Sequence, residues 1–168
     1  MSLTDPIATI VSILSNVSTG LNSTGYEIYE DNGSTEASIL VTYPMAKEKL
    51  ASLFGGAQDY DCIIIVEAGE GDTEWIGLST QVHNLPVKLT AHVIEKHTTT
   101  GSSQKIISPE QVIWKCFDIL SKFIDANPSS PGGSILMWTQ KGHRFEVDKT
   151  IRPIVYKVVI ETDCKVVR

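Results

Sequence analysis

The sequence predicts an α+β fold. It should have a mostly antiparallel sheet with a short N-terminal helix and one long amphipathic helix packed on it, and it should end in a long strand pair. Three observations carry that prediction. The closing stretch "IRPIVYKVVIETDCKVVR", residues 151–168, alternates with period two. Residues 108–127 carry a helical apolar period. Helical and extended patterns come in groups, without regular β-α-β alternation, which favours antiparallel pairing with the helices gathered on one sheet face.

The elements follow in order. Asp5-Pro6 is a helix start, an acidic N-cap before a proline at the first helical position. Ile7, Ile10, Val11, Leu14 and Val17 share a face of that helix, which should end near Gly20. Residues 26–31 and 37–43 read as strands around the Asn32-Gly33 turn signal. Residues 45–54 suit a short helix stopped by Gly55-Gly56, and "CIIIVE", residues 62–67, suits a strand buried on both faces. "GEGDTEW" reads as a polar turn. Residues 75–95 read as extended, interrupted near Asn84-Leu85-Pro86. Residues 97–104, "HTTTGSSQ", have the composition of a flexible loop.

Ser108 before Pro109, with Gln111 completing a capping box, opens the clearest helix. Val112, Ile113, Cys116, Phe117, Ile119, Leu120, Phe123 and Ile124 cover one broad arc of it. Ile113, Phe117, Leu120 and Ile124 should lie against a sheet holding Ile63, Ile65, Tyr156, Val158 and Ile160. Asn127-Pro128 stops the helix. Residues 134–140 form a strand, and "KGHRFEVDK" connects it to the last one as an antiparallel pair with an extended tip. On that last strand Ile154, Tyr156, Val158, Ile160, Thr162, Cys164 and Val166 share one face; Val155, Lys157, Val159, Glu161, Asp163 and Lys165 share the other. At about 3.3 Å per residue it would span on the order of 40 Å, against a usual strand of about 5–6 residues.

The chain of 168 residues suits one domain, 1–168, with residues 1–3 expected to stand outside its ordered part. Apolar residues at 42% exclude a disordered chain. A net charge of −6 disfavours nucleic-acid binding, which needs clustered Lys and Arg. No basic-then-apolar leader opens the chain, and the longest tight apolar run, residues 62–66, falls far short of the roughly 20 residues of a membrane helix. The expectation is a cytoplasmic protein with no membrane partner. Cys62, Cys116 and Cys164 each sit inside an apolar pattern and read as buried free thiols. The glycosylation patterns at Asn16, Asn22 and Asn32 then mean turn chemistry only.

Chemistry-bearing constellations are weak. His92, Glu95 and His97 are the nearest approach to a metal cluster, yet strand alternation points His92 away from the other two. Glu67, Glu70, Asp72 and Glu74 surround glycines without the spacing of a calcium loop. Neither glycine pair carries a phosphate-loop pattern. Cys116, on the apolar arc, is a poor nucleophile. No catalytic residue, cofactor or metal is expected. His143, Arg144 and Phe145 form a basic, aromatic segment suited to a contact surface. Trp114 lies on the polar arc of its helix, beside Asp118, Ser121 and Asp125, and needs cover from its own chain or from another subunit. Val155 and Val159, on the outer face of the last strand, would extend such a contact.

The "DPI" helix, the buried strands, an amphipathic helix of about five turns and the closing "RPIVYKVVIE" resemble small head–tail joining proteins of tailed phages, of the tail-completion or tail-terminator type, and related proviral proteins of archaea. The likeness is one of layout, over residues 4–17 and 86–167. It implies a non-enzymatic homo-oligomeric ring subunit, usually hexameric, placed at a tail tube or neck among other virion proteins, in the cytoplasm or the virion. A strand longer than its own core needs would then serve a neighbour. Two other classes stand beside it: a small-ligand-binding or regulatory domain with residues 97–104 as a lid, and an enzyme using His92 or His143 with a nearby carboxylate.

Overall fold

The computed structural model describes residues 5–16, 19–21, 39–54, 60–76, 78, 80–94, 96–100, 103–107, 109–129, 135–150 and 154–167. The expected strand over 26–31 and the Ser108 cap lie outside these residues. The elements are α1 (Pro6–Ser15), β1 (Ile39–Thr42), α2 (Lys47–Phe54), β2 (Cys62–Ala68), β3 (Asp72–Ile76), β4 (Thr80–Ile94), β5 (Lys96–Thr100), β6 (Ser103–Ile107), α3 (Pro109–Ala126), β7 (Ile135–Asp148) and β8 (Val155–Val167). The fold is α+β. The main sheet runs β1-β2-β4-β8-β7, with β3 added beside β4; among the described strands β1–β2 is the one parallel pair.

Local chemistry explains the helix ends. The Asp5 carboxylate accepts from the backbone N–H groups of Ile7 and Ala8 at 2.9 and 3.2 Å, satisfying donors the first turn cannot pair. α1 stops at Ser15, before the expected Gly20, because Asn16 turns to extended backbone and its Oδ1 accepts from Thr19 N–H. α3 begins at Pro109 and ends before Asn127, whose side-chain amide donates to the Phe123 carbonyl at 2.9 Å.

The long terminal strand is central. β8 pairs along its whole length with β4 on one side, from Val155↔Ile94 to Val167↔Val82, and with β7 on the other. Its length is used within the chain, so the expectation of surplus length is corrected: among the described strands, the free edge on this side of the sheet belongs to β7. The segment "KGHRFEVD" is part of β7 and not a connection. "DTEW" is strand too, in β3, hairpinned to β4. Of the stretch 97–104, expected as a loop, residues 97–100 and 103–104 lie in the separate antiparallel pair β5–β6.

β4 runs uninterrupted through Pro86. The Pro86 carbonyl accepts from Gly69 N–H at 2.8 Å, so its nitrogen faces the same side, toward β2 and β3. There the chain turns between those strands and asks for no ladder donor, and pairing with β8 is unharmed. Gly71 completes the turn, where a Cβ would strike the Asn84 carbonyl.

Two cores flank the sheet. α1 and α3 cover one face, where Ile10, Leu14, Ile113, Leu120 and Ile124 meet Cys62, Ile64, Val158 and Ile160. α2 covers part of the other face, with Leu50 and Phe54 against Ile63, Ile65, Ile94 and Val155. The helices therefore do not share one face. Ile63 and Ile65 face α2 and not α3, while Tyr156 is partly buried under α3. All three cysteines are buried and free; the sulfurs of Cys62 and Cys116 lie 3.5 Å apart between β2 and α3.

Candidate assembly surface

Among the described strands, β7 is the sheet edge beyond β8. Its register fixes which side chains share a face. His143, Phe145 and Val147 oppose Ile160, Val158 and Tyr156, on the side of α3. Arg144, Glu146 and Asp148 oppose Val159, Lys157 and Val155, on the other side. The sheet thus brings Trp114, His143 and Phe145 together and sends Arg144 to the opposite face.

Trp114, on α3, stacks on Phe145 with ring centroids 4.5 Å apart. Phe117 meets Phe145 edge-on at 5.8 Å and the His143 ring at 4.3 Å. The expected cover from its own chain is therefore partial: Trp114 keeps 59% of its surface exposed despite that contact. Below it, between α3 and β7, lies a groove of about 280 Å³ walled by Ile113, Trp114, Phe145, Val147 and Tyr156 and also by the charged Glu110, Glu146 and Lys157. Exposed apolar groups gathered in this way mark a candidate contact surface.

Val155 and Val159 correct the expectation placed on them. They are 1% and 2% exposed, so neither offers surface to a second subunit. Val155 belongs to the α2 core. Val159 lies in a cross-strand row with Ile65, Thr90 and Arg144 and lines one depression with Lys88, Arg144 and Lys157.

The face around Val159 is a lattice of ion pairs. Lys88 pairs with Glu67, Lys141 with Asp163 at 2.5 Å, and Arg144 with both Glu146 and Glu161 at 2.6 Å. Asp148 receives Lys157 at 3.3 Å; the Thr150 hydroxyl and backbone N–H, then Lys157, hold its carboxyl well below the ordinary carboxylate range. His92 is a buried titratable group on this face. Its Nδ1 sits 3.1 Å from the Thr90 carbonyl and 3.2 Å from that of Ile63; two acceptors require that nitrogen to carry the proton. Burial lowers its pKa to about 4, so the ring is neutral near pH 7. It lies under an open depression of about 190 Å³ edged by Lys88, Arg144, Glu146 and Lys157.

The side chains of Glu95 and His97 lie outside the described residues, and among those described no group of three His, Cys, Asp or Glu is placed to hold a metal. No helix among them is long and apolar enough to cross a membrane. A second apolar patch escaped sequence reading: Trp75 and Leu78, at 65% and 103% exposure, crown the β3–β4 hairpin. The signal was available in "TEWIGL", where large apolar residues gather around a glycine.

No protein-family model matches the sequence, and a comparison with curated proteins found no significant relative.

Proposed function

We propose that this chain is a non-enzymatic structural assembly protein that works by associating with further copies of itself. The observation that carries the proposal is the exposed Trp114–Phe145 stack on β7, which is an edge strand of the sheet among the described strands. A tryptophan held by an aromatic neighbour and still open to solvent has the character of an interface anchor. Among the described strands none pairs with the outer edge of β7, and over residues 142–148 that edge can offer main-chain donors and acceptors to a neighbour. The layout likeness to head–tail joining proteins makes a ring subunit of a virion neck or tail the specific form of the proposal, with no cofactor and with other virion proteins as partners.

A second reading has its own observation. Neutral, buried His92 beneath a charged open depression suits a small polar ligand or a proton-transfer role. That depression is open to solvent and its charged groups pair with one another, while Trp114 keeps most of its side chain exposed, and so the assembly reading is preferred.

Light scattering with electron microscopy of the purified chain at high concentration tests the proposal. Annular particles of uniform subunit number would support the ring form. A monomer at every concentration would overturn it.

A further inference from the structure

We propose that two copies of this chain pair antiparallel through the outer edge of β7 over residues 142–148, which pairs with no other described strand, about a twofold axis at Phe145. This rests on the assembly reading of the same surface and names its partner and register.

The register follows from charge and from the bulge. β7 carries a shift in pairing between Gln140 and Gly142, which breaks the straight edge there and leaves residues 142–148 as its regular outer segment. Directly opposed residues of an antiparallel pair share a face. With the axis at Phe145, each Arg144 faces Glu146 of the second copy, and each Glu146 faces Arg144. His143 faces Val147, and the two Phe145 rings meet.

Neighbouring registers are disfavoured. Slipping by one residue puts side chains on the wrong faces. Slipping by two in one direction sets Arg144 against Arg144; slipping by two in the other sets Glu146 against Glu146. Charges that guard the edge against indiscriminate pairing thus select one arrangement. Arg144 can serve both copies: its Nε and one terminal nitrogen bind Glu146 and Glu161 of its own chain, and a guanidinium has five donors.

On the α3 side, the twofold brings both Phe145 rings and both exposed Trp114 rings into one aromatic strip. The joined sheets become continuous across the axis. The contact is isologous, so it pairs two copies and does not by itself close a ring; a ring would need a further, heterologous face, and assemblies of dihedral symmetry contain both kinds.

Charge reversal tests the register. Arg144→Glu and Glu146→Arg should each weaken self-association at least about tenfold, because two attractive pairs become repulsive. An equimolar mixture of the two variants should restore it. Positions 144 and 146 are both acidic in the first variant and both basic in the second, so every opposed pair in a mixed dimer is attractive. The double swap in one chain should also associate. Circular dichroism melting checks that each variant is folded, and Arg144→Gln, which removes attraction without adding repulsion, should weaken association less. If the reversals leave association intact, or the mixture fails to restore it, the register is wrong. If in that case Trp114→Ala still abolishes association, the assembly reading survives without it. A parent that never associates overturns both.

Discussion

The rings of Trp114 and Phe145 lie 4.5 Å apart, tilted by 39°, and tie the long helix to the outermost strand of the sheet. The two residues are 31 positions apart in sequence, on elements whose own patterns place each at a boundary. Trp114 is on the polar arc of α3, and Phe145 follows two charged or titratable neighbours. Their contact makes one surface out of two oddities, and that surface ends at a strand edge.

The strands below are joined by a buried polar relay. Trp138 Nε1 donates to the Thr162 hydroxyl at 2.9 Å, and that hydroxyl donates to the Val87 carbonyl at 2.8 Å. Thr162→Val keeps the shape and removes both bonds, leaving an indole N–H without its acceptor. Chemical denaturation should show a loss of about 1–3 kcal/mol.

Leu120 is fully buried among α3, α1 and the sheet. Leu120→Ala should cost about 2–5 kcal/mol by urea titration, the usual range for such truncations. A loss below about 0.5 kcal/mol would mean that the helix face carries far less of the core than its burial indicates.

Acid should weaken the fold in a defined window. His92 has a folded pKa of about 4 against an ordinary 6.5, chiefly through burial. Between those values the unfolded chain binds a proton that the folded chain refuses, so stability is full above pH 6.5 and falls as pH drops toward 4. The loss totals about 3 kcal/mol across the window. Asp148, whose folded value is depressed, adds its loss only below the ordinary carboxylate range. Denaturation midpoints measured from about pH 7 to about pH 4 should fall for the parent and stay flatter for His92→Gln.

Much of the fold is legible in the sequence because local chemistry dominates there. Asp5-Pro6, the apolar arc of α3 and the "CIIIV" run each form the expected element. Position within the sheet is not legible. Alternation along β8 reports two faces but not whether a strand is central or at an edge, and so it suggests surplus length where two partners lie. Val155 and Val159, apolar on a mostly charged face, are the trace of that central position. Ile63 and Ile65 belong to a different core from the one expected, because a strand buried on both faces shows no alternation to sort them. The Trp114 anomaly is visible from the helical wheel alone; its meeting with Phe145 needs the register of β7.

The central claim is that the Trp114–Phe145 surface joins copies of this chain. Sedimentation equilibrium over a concentration series, on the parent and on Trp114→Ala, tests it most directly. The parent's weight-average mass should rise with concentration to a multiple of 18.4 kDa. Trp114→Ala should melt close to the parent, since its side chain is mostly exposed, and should associate at least about tenfold more weakly, as for an interface anchor. A parent that stays at the monomer mass throughout, or a variant that associates as strongly as the parent, would contradict the account.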